Sequence, residues 1–294
     1  SLFTLDEKNI LKTIKAEEIK KGDFIAIPSR FSLDNSLDSI NLLDYLDRLN
    51  KKIFISGKGI EEYISVNSKQ LFRAYSSDYK KSAIRNWIKK KILPSEIFEK
   101  IKDQINKQNL IIRSLHSKPI HAELLLDEDF LNFVGLWLAD GSYDRNSIII
   151  SVREEENRTV VKKIADRFGL QIKTHPDNFS LMLNSTLLKE VMQNVLGLNG
   201  NAYTKKMPDW IYNLSDKQAG WLLKGFFSGD GCVSDNEILF SSCSKELIYD
   251  IASLLLRFGI VLSSLPKSTY GKATSCRISS IKMIKRFNEK VGFL

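Results

Sequence analysis

Two aspartates stand where helices least favour a negative charge. The segments "FVGLWLADG" (133–141) and "LKGFFSGDG" (223–231) are apolar runs typical of helices, and each carries an aspartate, Asp140 or Asp230, in its last turn. That turn has unpaired carbonyls at the negative end of the helix dipole, so a carboxylate there costs about 0.3–1 kcal/mol. A fold absorbs one such cost easily, but two equivalent aspartates point to a chemical use for the pair.

Small residues four apart lie along both helices and predict how the aspartates meet. They are Gly135 and Ala139 in the first helix, and Gly225 and Gly229 in the second. Ordinary close packing also uses such spacing, but two matched stripes predict that the helices face each other across a pseudo-twofold axis. The aspartates would then meet, and their mutual repulsion would be relieved by Mg²⁺ or Mn²⁺, which also bind phosphate oxygens. That chemistry is two-metal phosphodiester displacement.

The rest of the chain around these helices repeats in the same register. Asp140 and Asp230 lie 90 residues apart, and so do Arg167 and Arg257. Each copy predicts the order αββαββα, with a longer hairpin loop near 266–274 in the second copy. The predicted strands are 147–152, 170–175 and 179–185 in the first copy, and 237–242, 260–265 and 274–280 in the second.

Composition limits the class of protein. The 294 residues are 43% hydrophobic, which is ample for a core, and the net charge of +9 favours a polyanionic partner. Three cysteines without a CxxC pair and three scattered histidines indicate neither a disulfide framework nor a zinc site. No apolar run predicts a membrane span or a signal peptide, so we expect a cytoplasmic protein.

The two motifs resemble the paired dodecapeptide motifs of the LAGLIDADG homing endonucleases, over about residues 126–294. The resemblance implies an α+β fold in which two pseudo-twofold-related units, 126–208 and 209–294, form a DNA-binding saddle. It also implies a monomer that cleaves both strands of double-stranded DNA at a long site. Asp140 and Asp230 would be catalytic and would bind Mg²⁺ (or Mn²⁺), with the adjoining Gly141 and Gly231 in the metal site.

A lysine between the two units has a counterpart in intein-borne members of that family. The segment "AYTKKMPDWI" (202–211) resembles their Lys-x-x-Pro segment, which makes Lys205 the third catalytic candidate, with Lys206 next to it. A solvated surface lysine is the alternative interpretation. The matching lysine of the second unit would lie beyond Leu294.

The first 125 residues predict two further parts. Residues 1–45 contain "ILKTIKAEEIKKGDFIAIP" (10–28), a short helix, a turn and a strand that resemble part of an intein (Hint-like) splicing domain. Residues 46–125 predict a helical, helix-turn-helix-like region for DNA recognition, with an amphipathic helix over 78–91. Its basic residues could contact phosphates, although a solvated face is the alternative; they are Lys80, Lys81, Arg85, Lys89, Lys90 and Lys91. Alternating strands add Lys173 and Arg277 as weaker DNA-binding candidates.

Two function classes remain open. The first is a Mg²⁺-dependent site-specific endonuclease that forms part of an intein, whose splicing residues and remaining splicing-domain sequence lie outside this chain. The second is a nucleic-acid-binding protein on the same scaffold that does not cleave, such as a maturase, a transcription regulator or a degenerate endonuclease. Retention of both aspartates favours the enzyme, and the missing second lysine favours the binding protein.

Overall fold

The computed structural model describes residues 2–6, 10–26, 36–49, 52–234, 236–263, 267–269 and 273–294. The amino-terminal segment is a hairpin of β1 (Leu2–Leu5) and β2 (Leu11–Ile14), followed by a 3-10 turn at Ala16–Glu18. The helix predicted after residue 10 is therefore reduced to that turn, because pairing with β1 holds the preceding residues extended. Residues 27 and 28, the end of the predicted strand, lie outside the described part.

The sequence predicted a helical middle region, but the structure shows a mixed α/β region. Its elements are β3 (Ser39–Asn41), a 3-10 helix (Leu42–Arg48), β4 (Ile53–Ser56), α1 (Lys58–Tyr75), α2 (Lys81–Lys90), β5 (Ile92–Pro94), α3 (Ser95–Ile101), a 3-10 turn (Lys102–Gln104), β6 (Ile111–Ser114), β7 (Ile120–His121) and β8 (Glu123–Leu125). Four of the strands form a sheet in the order β5-β4-β6-β7. These strands have two to four residues each, which is too short for alternation to be recognised in the sequence.

The basic helix α2 is shorter than the predicted 78–91. It begins after Lys80 and ends at Lys91, which adopts a left-handed conformation with φ 54°. The helix packs on α1 through Ile84 and Trp87, which are buried. Its exposed side keeps the positive charges that the sequence predicted.

Both repeats have the predicted order αββαββα. The first consists of α4 (Glu128–Asp140), β9 (Gly141–Tyr143), β10 (Ser147–Ser151), α5 (Glu155–Arg167), β11 (Ile172–Thr174), β12 (Ser180–Asn184) and α6 (Thr186–Glu190), which continues as a π-helical turn through Val191–Val195. The second consists of α7 (Asp216–Asp230), β13 (Gly231–Ser234), β14 (Glu237–Ser242), α8 (Lys245–Arg257), β15 (Lys267–Thr269), β16 (Ala273–Ile278) and α9 (Ile281–Lys290). One predicted strand, 260–265, is wrong, because its described residues, 260–263, are irregular and the strand begins later.

The two sheets have the same topology and register. The strand orders are β11-β12-β10-β9 and β15-β16-β14-β13, so each unit places the strand that follows its motif helix at an edge. Gly141 pairs with Ile150 in the first unit, and Gly231 pairs with Phe240, again 90 residues further on, in the second. The internal repeat is therefore present in the structure as well as in the sequence.

Helix α4 is buried on all sides, and α7 nearly so. Every residue of α4 from Phe130 to Leu138 is buried, which matches a helix that is apolar all round. The two helices begin with side-chain caps, from Asp127 on α4 and Ser215 on α7. They pack against each other, with the sheets and the second helix of each unit around them. In the described part of the chain, no helix is long and apolar enough to cross a membrane.

Candidate functional site

The helices α4 and α7 touch main chain to main chain through their glycines. A Cβ atom built on Gly135 would lie 2.1 Å from the Leu222 carbonyl oxygen, and one on Gly225 would lie 2.1 Å from the Asn132 carbonyl oxygen. The two contacts are equivalent under the 90-residue offset, as a twofold axis requires. Nearer the helix ends, a Cβ on Gly229 would lie 2.5 Å from the Ala139 Cβ. We call this contact of Gly135, Ala139, Gly225 and Gly229 the helix seam.

The helix seam brings the two aspartates to one place. Asp140 and Asp230 are the last residues of their helices, immediately after Ala139 and Gly229. Burial, followed by the charge of Asp140, raises the pKa of Asp230 to about 7. The surrounding protein also raises the pKa of Asp140 by desolvation, although this residue is largely exposed at the surface. The two carboxylates therefore share a partly desolvated site and repel each other there.

Lys205 lies beside both carboxylates and is not a solvated surface lysine. Only 4% of the residue is exposed, whereas its neighbour Lys206 is exposed. Its Nζ atom donates hydrogen bonds to the carbonyl oxygens of Trp137 (2.9 Å) and Ala139 (3.1 Å). These carbonyls belong to the last turn of α4, so the ammonium group lies at the negative end of the helix dipole.

The pKa values of Lys205 and of the two aspartates depend on one another. Burial lowers the pKa of Lys205 to about 8, and the charges of Asp230 and Asp140 oppose that change. Burial raises the pKa of each aspartate, and the positive charge of Lys205 lowers it and so offsets part of that rise. One lysine from the segment between the units thus compensates part of the negative charge of both motifs.

The second unit holds the segment that carries Lys205. The Ser244 hydroxyl, at the start of α8, donates a hydrogen bond to the Lys205 carbonyl oxygen. Two residues on, the Met207 amide donates to Asp250 Oδ2 at 2.9 Å. The side chain of Lys205 reaches the first unit while its main chain is bound to the second, so its position requires both units to be assembled.

Gly141 and Gly231 follow the aspartates for a reason that the sequence did not predict. A helix-stopping glycine usually takes a left-handed conformation, but both residues have negative φ, near −84° and −88°. A Cβ atom would instead lie 2.5 Å from the Trp137 carbonyl oxygen at Gly141, and 2.3 Å from the Phe227 carbonyl oxygen at Gly231. Glycine is therefore required by the tight turn from helix into strand, which fixes the direction of each aspartate.

Three polar residues beside Asp140 were missed by sequence reasoning. Arg153, Glu154 and Asn157 line one pocket together with Asp140 and Gly229. The Asn157 amide group donates to the Ser228 carbonyl oxygen of α7 at 2.9 Å and so connects the units. The run "REEEN" (153–157) directly follows a predicted strand and could have indicated these residues, because polar residues that follow a strand lie at the edge of its sheet.

The predicted DNA-binding residues lie on three elements, α2, β11 and β16, or directly beside α2. On α2, Lys80, Lys81, Lys89 and Lys90 are exposed, while Arg85 lies 5.6 Å from the centre of the Phe72 ring and Lys91 Nζ donates to Ser65 Oγ. Lys173 is exposed on β11. Arg277 is exposed on β16, with its guanidinium 3.5 Å from a carboxylate oxygen of Glu237.

The two carboxylates supply oxygen ligands of the kind that a divalent cation binds. Two ionised oxygens held at a desolvated site supply what Mg²⁺ or Mn²⁺ binds, and their raised pKa values show how poorly the chain alone compensates their charge. In the described residues, no group of three or more His, Cys, Asp or Glu side chains could hold a metal. The remaining ligand positions would fall to water and to phosphate oxygens.

Replacing Asp230 with asparagine is expected to raise the thermal stability of the metal-free protein. The pKa of Asp230 is about 7 in the folded state against 3.8 for the ordinary group, so the stability it contributes is present below pH 4 and lost as the pH rises through 7. Asparagine removes that loss, so the expected gain in stability is larger at pH 8 than at pH 5.

Melting curves in EDTA and in millimolar MgCl₂ measure this effect. Added Mg²⁺ should raise the melting temperature of the parent protein and leave that of the Asp230→Asn variant nearly unchanged. An equal response of both proteins would mean that Mg²⁺ does not bind at Asp230.

Comparison with known proteins agrees with the prediction made from the second motif. Residues 217–292 match the family model of a LAGLIDADG-like domain. An uncharacterized protein of Methanocaldococcus jannaschii is 27% identical over 97% of this chain and 34% of its own length. From the same organism, RNA polymerase subunit Rpo1C is 32% identical over 65% of this chain and 22% of its own length, and reverse gyrase is 27% identical over 97% and 17%. The chain thus spans about a third or less of these relatives.

Two solved structures are similar to part of this chain. The homing endonuclease I-DmoI in complex with DNA and Mn has a TM-score of 0.45 and 13% identity, over 57% of this chain and 97% of that chain. The N-terminal LAGLIDADG domain of WhiA has a TM-score of 0.40 and 14% identity, over 57% and 83%. Within the α+β fold of this chain, the match to the LAGLIDADG-like domain model covers residues 217–292, which contain the second motif.

Proposed function

We propose that this protein is a site-specific DNA endonuclease that hydrolyses phosphodiester bonds in both strands. The observation that carries the proposal is the joining of Asp140, Asp230 and buried Lys205 at the end of the helix seam. A merely structural seam needs no carboxylates at its end, and there they cost stability. Their presence favours a site in which a bound cation and a phosphate complete the charge balance.

Asp140 and Asp230 would hold the metal, and the chain's own residues would prepare its surroundings. Bound there, Mg²⁺ or Mn²⁺ supplies a more acidic water and stabilises charge on the leaving oxygen. The tight turns at Gly141 and Gly231 hold the carboxylates at the ends of their helices. Lys205 holds a positive charge against both, and Arg153, exposed in the pocket beside Asp140, is placed to bind a phosphate oxygen.

The endonuclease proposal does not require a second lysine that matches Lys205. The charge of Lys205 acts on Asp230 and on Asp140, so one lysine serves both aspartates. A second copy is not needed for charge compensation at the seam. The site is instead asymmetric: Arg153 and Glu154 line the pocket beside Asp140, and the Lys205 side chain is bound to carbonyls of α4.

Cleavage of a plasmid library with randomised inserts tests the proposal. The protein is incubated with the library in MgCl₂, in MnCl₂ and in EDTA, and linear products are sequenced at their ends. We expect linear products that share one long sequence in either metal and none in EDTA. Binding to an enriched duplex without cleavage in any metal would support the alternative, a binding protein on the same scaffold.

We further infer an intein context, in which this chain is an insert within a host protein. The relatives bear names as different as RNA polymerase subunit, reverse gyrase, DNA polymerase II large subunit and translation initiation factor IF-2, and the match covers a small part of each. A segment shared by such different proteins is expected of a mobile insert. Expression of a complete host gene should then release a free polypeptide that contains these residues; a single uncut product contradicts the inference.

Neutralising the exposed lysines of α2 is expected to flatten the salt dependence of DNA binding. Each phosphate contact contributes about 0.9 to the slope of log affinity against log salt, so the triple variant Lys81→Gln, Lys89→Gln, Lys90→Gln should lower the slope by about one to three. Substitution is preferable to deleting residues 1–125, because the Leu37 carbonyl oxygen accepts a hydrogen bond from Gln218 at the start of α7.

A matched control replaces three lysines of the same region that form ion pairs on other surfaces: Lys58, Lys102 and Lys107. Its slope should stay at the parent value. Equal slopes in the α2 variant and the parent would make α2 an ordinary solvated basic face.

A further inference from the structure

The turn between β6 and β7, residues 115–119, presents an apolar side chain to solvent. Leu115 is 65% exposed, and the next residue, His116, has φ 70°, a left-handed conformation that reverses the chain at the tip of the hairpin. A single exposed leucine is common on protein surfaces and by itself means nothing. Leu115 differs from an ordinary exposed leucine because positively charged side chains lie beside it.

A basic groove adjoins this leucine. Leu115 lines it together with Lys90 and Lys91 at the end of α2 and Arg113 on β6, against one carboxylate, Glu61. The partners of the cations are neutral: Arg113 Nε donates to a serine hydroxyl at 2.7 Å, and Lys91 Nζ donates to another at 2.8 Å. Among the described residues, none of these three cations forms an ion pair within 4.0 Å. Their charge is thus available to a polyanion.

The hairpin contacts the first unit at helix α6. The Leu187 amide of α6 donates to Ser117 Oγ at 3.3 Å, and Lys189 Nζ, on the same helix, donates to the Asp144 carbonyl oxygen at 2.7 Å. Asp144 follows β9, which begins at Gly141 directly after Asp140. These contacts connect the hairpin, through α6, to the strand that begins at the first aspartate.

We propose that the hairpin binds duplex DNA beside the cleavage site and inserts Leu115 between two base pairs. An apolar wedge flanked by cations is the combination by which proteins unstack a base step and kink DNA, by about 20–90°. Lys90, Lys91 and Arg113 bind the phosphates on either side, and their contacts offset the loss of base stacking. This inference rests on the proposed function, because it requires that the chain binds double-stranded DNA.

Bending of DNA by the full chain tests the wedge. The probe is a duplex recovered by binding from a randomised library, labelled with a fluorophore at each end, in metal-free buffer so that it stays intact. The parent protein should raise energy transfer between the ends, and Leu115→Ala should lose at least about half of that rise. Leu115→Met should retain most of it, because a flexible apolar side chain still intercalates.

A matched control and a second readout separate the possible failures. Leu125→Ala removes another exposed leucine, 53% exposed on β8, and should bend DNA as the parent does. Both variants should melt at the parent temperature, since neither side chain is buried. Unchanged bending in Leu115→Ala overturns the wedge while leaving the endonuclease proposal intact. A parent protein that binds no duplex in the library overturns both.

Discussion

The Asp230→Asn variant is expected to lose DNA cleavage by at least about 10³-fold, since several kcal/mol of metal-dependent stabilisation disappear with one carboxylate. Asp140→Asn should lose as much, because the two carboxylates share one site at the end of the helix seam. Affinity for the target duplex in EDTA should stay close to that of the parent, because neither aspartate provides a positive charge. Initial rates of plasmid linearisation and gel-shift affinities measure the two effects.

Asp166→Asn is the control for this pair. Asp166 is exposed near the end of α5 and has no part in the site, so its variant should cleave at the parent rate. Substantial cutting by Asp230→Asn would remove the assignment of the metal site. A parallel loss of DNA affinity would indicate that the aspartate shapes the binding surface rather than the chemistry.

The Gly225→Ala variant is expected to lose stability and activity together. The new Cβ atom would lie 2.1 Å from the Asn132 carbonyl oxygen, a main-chain atom that cannot turn away. Helices α4 and α7 must then separate, and overpacking of this kind costs about 1–3 kcal/mol. An exposed helical glycine would instead gain about 1 kcal/mol from the better helix propensity of alanine. Thermal melting shows whether Gly225→Ala lowers or raises the stability. Cleavage below the melting temperature shows whether the aspartates have moved apart.

A second pair of substitutions tests the packing of α4 against α7 at a place where two side chains meet, so that no main-chain atom clashes. Gly229→Ala places its Cβ 2.5 Å from the Ala139 Cβ, so the single variant should be destabilised. Adding Ala139→Gly moves the methyl group from one helix to the other and should restore most of the loss. The coupling energy expected for touching residues is about 0.5–3 kcal/mol. Additive effects of the two substitutions would show that these residues do not meet.

Local sequence determined much of the architecture. The apolar runs that end in Asp-Gly, the 90-residue repeat and the alternating strands each depend on neighbours a few residues away, and the predicted αββαββα order follows from them. The small residues along α4 and α7 also predicted which faces meet, because glycine and alanine leave room for a facing main chain only if such a partner exists. The short strands of the middle region gave no such pattern, and their sheet was missed.

The tertiary structure alone decided the environment of the charged groups. A Lys-x-x-Pro resemblance selected Lys205, but only the packing of both units shows it buried, bound to α4 carbonyls and close enough to alter the pKa of both aspartates. Arg153, Glu154 and Asn157 reach the site through the turn from β10 into α5, which no spacing rule specifies. Desolvation and charge coupling arise between segments far apart in the chain, so they exist only once the helix seam has formed.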